Sequence, residues 1–161
     1  MNPVQHLYKV RQDGKVIREG MTPEEIVALG EISTVVEVHW VDGRTQKAVV
    51  FKEPLGIFTT VVQGREYIVA ERMVKGIKNR IGDAVVYKSD GSVHAQLLMQ
   101  RAIPWHGREL HGVYHSIRTA KNEKDGFIGV VYDVDLVGMR AQLNLDTNLA
   151  TGEVVSISEV R

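Results

Sequence analysis

The sequence predicts an α+β fold: a strongly curved, mainly antiparallel β-sheet, open or partly closed into a barrel, packed on one main helix, with one short N-terminal helix. Three observations lead there. Residues 83–160 alternate apolar and polar side chains almost throughout, the period of a strand with one buried face. Residues 65–81 instead repeat apolar side chains at three- and four-residue spacing, the period of a helix with one buried stripe. Gly138 stands between two strand-like runs with no room for a proper loop, so a bulge or sharp bend should curve the sheet there.

The elements follow in order. Residues 6–11 and 15–19 flank Asp13-Gly14, a hairpin turn signal. Thr22-Pro23-Glu24-Glu25 starts a helix: Thr22 caps it, Pro23 takes the first helical position, and Glu25 completes a capping box. Gly30 should stop it, so it is short. In residues 32–41, Ile32, Thr34, Val36, Val38 and Trp40 share one face, with Glu37 and His39 on the other; Trp40 reads as core. Asp42-Gly43 turns the chain into a strand over 45–53. In the main helix, Tyr67, Ala70, Met73, Val74, Ile77 and Ile81 form the stripe. Glu66 and Glu71 lie near its start and Lys75, Lys78 and Arg80 near its end, as the helix dipole favours. Gly76 costs it about 1 kcal/mol and Gly82 ends it. Strands then follow over 85–88, 93–100, 110–119, 127–137, 139–146 and 153–160. Ile128, Val130, Tyr132, Val134 and Leu136 make one apolar face, with Asp133 and Asp135 opposite, and residues 144–152 make a hairpin connection.

Bulk properties bound the function. A chain of 161 residues fits a single domain, 1–161, with a core large enough to fold unaided. Twenty Lys and Arg balance twenty Asp and Glu, which excludes strong non-specific nucleic-acid binding. The absence of cysteine excludes disulfides, thiolate catalysis and cysteine-held zinc. No leader-like start and no run of 18 apolar residues is visible, so the expectation is a soluble cytoplasmic protein without membrane contact.

Chemistry concentrates in one stretch. Four of the six histidines lie between 94 and 115, and His106, His111 and His115 fall within eleven residues. Histidine changes charge between about pH 5 and 8, so such a group can move protons or hold anions. On a strand, His111, Val113, His115 and Ile117 would share a face, turned inward by Val113 and Ile117. No third ligand at a recognised spacing accompanies His111 and His115, so no metal and no cofactor is expected. Metal-free cleavage of a phosphodiester needs two proton-transfer groups and a cation; His111, His115, Glu109 and Arg118 could supply them. Arg101, Trp105, His106, Arg108, Tyr114 and Lys121 would form the surrounding ligand site, with aromatics interleaved among cations. Asp133, Asp135 and Asp146 read as the wet face of a sheet rather than a cation site.

Three functions fit. The first is a binding protein, an adaptor or inhibitor acting through a protein partner or as a homo-oligomer. The second is a metal-independent enzyme acting on an anionic nucleotide or phosphodiester through the His/Glu/Arg set. The third is a small-ligand carrier using the interior of a curved sheet.

Overall fold

The structure, a computed structural model, describes residues 2–74 and 80–160. Their elements are thirteen strands and one helix of five residues, and every strand pairing is antiparallel. They divide into two compact units, one from 1–61 and 65–97, the other from 62–64 and 98–161.

The first unit opens with β1 (Val4–Arg11) and β2 (Val16–Arg18), joined at Asp13-Gly14 as the turn chemistry predicts. Gly14 has φ +84°, and the Asp13 carboxylate accepts the Lys15 backbone N–H at 3.0 Å. Next comes α1 (Pro23–Val27), with both arms of the capping box formed between Thr22 and Glu25. β3 (Val35–Asp42) and β4 (Ala48–Lys52) complete a sheet of order β2-β1-β3-β4. A second sheet, β5-β6-β7-β8, is built from β5 (Ile57–Val61), β6 (Tyr67–Met73), β7 (Ile81–Lys88) and β8 (Val93–Gln96). Val4, Leu7, Val38 and Trp40 of the first sheet share one core with Ile57, Ile68, Ala70, Val85 and Tyr87 of the second.

The α+β expectation is overturned: among the described residues no main helix packs on a sheet. Residues 67–73 form the interior strand β6, paired with β5 on one side and β7 on the other. Lys75, Gly76, Ile77 and Lys78 lie outside the described residues. The physical reason is burial on both faces. Ile68, Val69, Ala70 and Glu71 are consecutive and all buried, so this strand carries no apolar/polar alternation, and its spacing imitates a helix. Gly82, expected to end the helix, sits inside β7.

Asp42 closes the β3–β4 turn and is 2% exposed. Burial pushes its carboxyl upward, but donation from the Thr45 hydroxyl, the Arg44 backbone N–H and the Ser89 hydroxyl, at 2.9 to 3.2 Å, outweighs this and leaves it below the usual carboxylate value. The folded chain therefore releases this proton more readily than the unfolded chain. The stability Asp42 contributes is present above the unfolded value and is lost as pH falls through the folded one. Asp42→Asn should be less stable than wild type at pH 7, and the gap should narrow as pH drops below about 4. Urea midpoints across pH 7 to 3 check this, and a constant gap contradicts it.

The second unit is one sheet of order β13-β12-β11-β10-β9: β9 (Gln100–Trp105), β10 (Arg108–Thr119), β11 (Phe127–Leu136), β12 (Met139–Asn148) and β13 (Val154–Glu159). Edge strands β9 and β13, at opposite ends of the hydrogen-bonded order, line the same small cavity. Ile103, Leu110, Tyr114, Val130, Tyr132, Leu143 and Leu145 fill the inner face. At Gly138 the structure has a two-residue hairpin rather than a bulge. Val137 (φ +50°) and Gly138 (φ +78°) make a primed turn that opposes Leu136 to Met139, so two residues suffice as a loop.

Candidate functional site

β9 and β10 are joined by a second two-residue turn, His106-Gly107, with φ +47° and +74°. From it β10 runs with Leu110, Gly112 and Tyr114 inward and His111, Val113 and His115 exposed. The expected inward placement of the two histidines is thus reversed. A bulge at His115 explains it. Tyr114 opposes Tyr132, but Ser116 already opposes Val131, so one extra residue shifts the phase. Val113 and Ile117 then lie on opposite faces, and only Ile117 follows the inner one. Gly112 reinforces the register, because a Cβ there would stand 2.5 Å from Ile103 Cδ1.

The exposed face is a shallow groove of about 1060 Å³. His111, Val113 and His115 supply one wall, Asp133 and Asp135 the next strand, Arg140 and Gln142 the third, and Glu159 the edge. The ladder fixes these neighbours: Val113 opposes Asp133, which opposes Gln142, and Asp135 opposes Arg140. Gln142 donates to Asp133 at 3.2 Å, and Asp135 accepts the Gly138 N–H at 2.8 Å. His115 Nδ1 lies 2.8 Å from the Ser116 hydroxyl. Ionisable groups of opposite sign therefore alternate from strand to strand around an apolar Val113 that is 45% exposed. Val137 and Met139, more exposed still, stand at the turn beside it.

The other sequence-predicted residues are spread over the unit. Trp105, His106, Arg118 and Lys121 line a second groove of about 620 Å³ with β13 residues 157–160. Trp105 and His106 touch edge to face, ring centroids 4.4 Å apart. Arg101 lines a third cavity with Pro104, Leu145 and residues 154–157 of β13. Tyr114 is buried edge-on against Tyr132. Arg108 is exposed at the start of β10, opposite Trp105. The structure brings His111 and His115 into one groove, places Arg118 in another, and has Glu109 lining neither. His94 belongs to the first unit, its ring 4.8 Å from Tyr67, and within the second unit His106 lines a different groove from His111 and His115. Among the described residues no three His, Asp or Glu side chains converge as a metal would require.

The buried carboxylate of Asp146 escaped the sequence reading. Asp146 accepts the backbone N–H groups of Lys121 and Asn122, both at 3.1 Å, and the Asn144 side-chain amide at 2.8 Å. It holds the chain that carries Lys121 rather than standing beside Asp133. Nothing in the strand alternation separates such an aspartate from a solvated one.

No family model and no curated protein matches the chain. Its fold is that of a solved chain. A chain in the structure of Tne2 in complex with Tni2 superposes with a TM-score of 0.79 at 21% identity, covering 98% of this chain and 99% of that one. The likeness shows the fold, and that structure is a complex of two proteins. Among the described residues no helix is long and apolar enough to cross a membrane.

Proposed function

We propose that this protein binds another protein, as an inhibitor or adaptor, through the exposed face of its second unit. One observation carries the reading: the fold matches, over nearly its whole length, a chain from the complex of Tne2 with Tni2. The face itself agrees in kind. Val113 offers apolar area, His111 and His115 flank it, and Asp133, Asp135, Arg140 and Glu159 supply charges of both signs that can discriminate partners. Arg118, the cation the catalytic reading assigned to His111 and His115, lines the other groove.

The test starts from the tagged chain purified from its own host, with native mass spectrometry giving the mass of the complex. A second copy appears as a doubled mass and a different protein as a stoichiometric addition. The partner is then purified and titrated against wild type and against Val113→Arg/Arg140→Glu. The double variant should bind at least 100-fold more weakly with an unchanged melting curve, since it places charge at the centre of the patch and inverts its rim. Recovery of monomer alone, or equal affinity of the variant, overturns the proposal.

A further inference from the structure

The gap between edge strands β9 and β13 holds a cation, Arg101, that has no counter-ion among the described residues. Arg101 alternates with Ile103 and Trp105 along β9, so it shares the inner face with Ile103, which is fully buried. It opposes Gly112, which has no side chain to crowd it. Its guanidinium carbon stands 5.8 Å from the ring centre of Tyr132, one of the most buried aromatics of this unit. Arg101 Nε is itself buried and has no hydrogen-bond partner, and among the described residues Arg101 forms no ion pair. Burial raises the Tyr132 hydroxyl above its ordinary value, while a hydrogen bond from the Arg101 guanidinium, and then its charge, pull the other way. That hydroxyl donates to the Leu98 carbonyl at 2.7 Å, so it offers Arg101 no negative charge.

A half-buried guanidinium with an orphaned N–H is costly unless an anion completes it. A cavity of about 380 Å³ opens in front of it, walled by Pro104, Leu145, Val154, Val155 and Ile157, with Ser156 the other polar side chain. Those walls are aliphatic, which suits a short apolar stem and not a heavily hydrated polyanion. Both edges of the gap also carry unpaired strand backbone, since β9 pairs only with β10 and β13 only with β12.

We propose that this cavity receives a carboxylate on a short aliphatic stem, its oxygens paired with Arg101 and its stem against Val155, Ile157 and Pro104. The ligand is either a free aliphatic acid or an Asp or Glu side chain of the partner. The second source rests on the function proposed above and the first does not.

Two measurements separate the sources. In the first, the full chain is titrated with sodium butyrate and, separately, with neutral butyramide at constant ionic strength, followed by backbone amide NMR shifts. Butyrate should bind at least tenfold more tightly than butyramide, moving the signals of residues 101–104 and 154–157. Arg101→Gln should abolish that ratio, while Arg101→Lys, which keeps charge without the planar fork, should retain part of it. In the second, the purified partner is titrated against wild type and Arg101→Gln, and an acidic side chain in the cavity predicts at least tenfold weaker binding. A butyrate preference with an unaffected complex assigns a free acid. A weakened complex without a butyrate preference assigns the partner's side chain. Loss of neither overturns the proposal. If Arg101→Gln does not fold, the wild-type ratio and Arg101→Lys decide. A host preparation with no partner removes the partner reading and leaves the butyrate titration to decide this one.

Discussion

Trp40→Ala is expected to destabilise the first unit by about 3 to 5 kcal/mol, the usual cost of deleting a buried Trp from a core. Trp40 is 2% exposed and belongs to the core the two sheets share. Its ring meets Phe51 with centroids 5.4 Å apart, and Phe51 meets Tyr87 at 4.3 Å, so the indole begins an aromatic chain from one sheet to the other. Its Nε1 donates to the Ser89 carbonyl at 2.7 Å, tying β3 to the β7–β8 turn. The same turn sends the Ser89 hydroxyl to Asp42. Trp40→Phe keeps most of the apolar area but leaves the Ser89 carbonyl buried without its donor, a cost of about 1 to 3 kcal/mol. Urea unfolding followed by far-UV circular dichroism should rank wild type above Trp40→Phe above Trp40→Ala. A Trp40→Ala midpoint within error of wild type would show that this core does not depend on the indole. Trp40→Ala combined with Phe51→Ala should cost less than the two single changes added together, because the rings share one contact.

The turns and the short helix were legible because their signals are local. Asp13-Gly14 marks the β1–β2 turn, with Gly14 at positive φ, and both arms of the Thr22/Glu25 box are formed. The strand β6 was not legible, because alternation reports a strand only when one of its faces meets water. β5 and β9 were passed over as well. Ile57–Val61 carries a readable alternation, since Phe58 and Thr60 are exposed while Ile57 is buried. β9 was hidden by the His106-Gly107 turn, where the histidine invites a chemical reading although its backbone already lies at positive φ.

The site was legible in composition and not in facing. The histidines and cations concentrated along the sequence are divided in space, His111 and His115 lining one groove and His106, Arg118 and Lys121 another. Which way His111 and His115 point depended on one inserted residue, and a one-residue shift exchanges the faces of a strand. Periodicity assigned Val113 and Ile117 to one side because they are four apart. The bulge between Tyr114 and Ser116 makes that count odd in effect. The outward groove thus comes from an irregularity no side-chain pattern announces, whereas the Arg101 cavity comes from the sheet's curl bringing two distant edges together.

The second large effect is expected at Asp146. Asp146→Ala should destabilise the second unit by about 2 to 3 kcal/mol, because it removes the acceptor of three donors. These are the N–H groups of Lys121 and Asn122 and the Asn144 amide. Asn144 has little freedom to compensate. Its Oδ1 is already buried without a partner, and it lies so near Gly129 that a Cβ there would stand 2.3 Å away. Asp146→Asn keeps the shape and one acceptor oxygen but turns an amide donor toward donors, so it should fall between wild type and alanine. The loss should also be local. Amide hydrogen exchange at 121 and 122 should quicken far more than at Val113 or Asp133, since the carboxylate is the acceptor for those two backbone groups. The groove holding Lys121 with Trp105 and Arg118 would then loosen while the His111–Val113–His115 face keeps its exchange rates. Unchanged exchange at 121 and 122 in Asp146→Ala would mean that the loop is held by something other than this carboxylate.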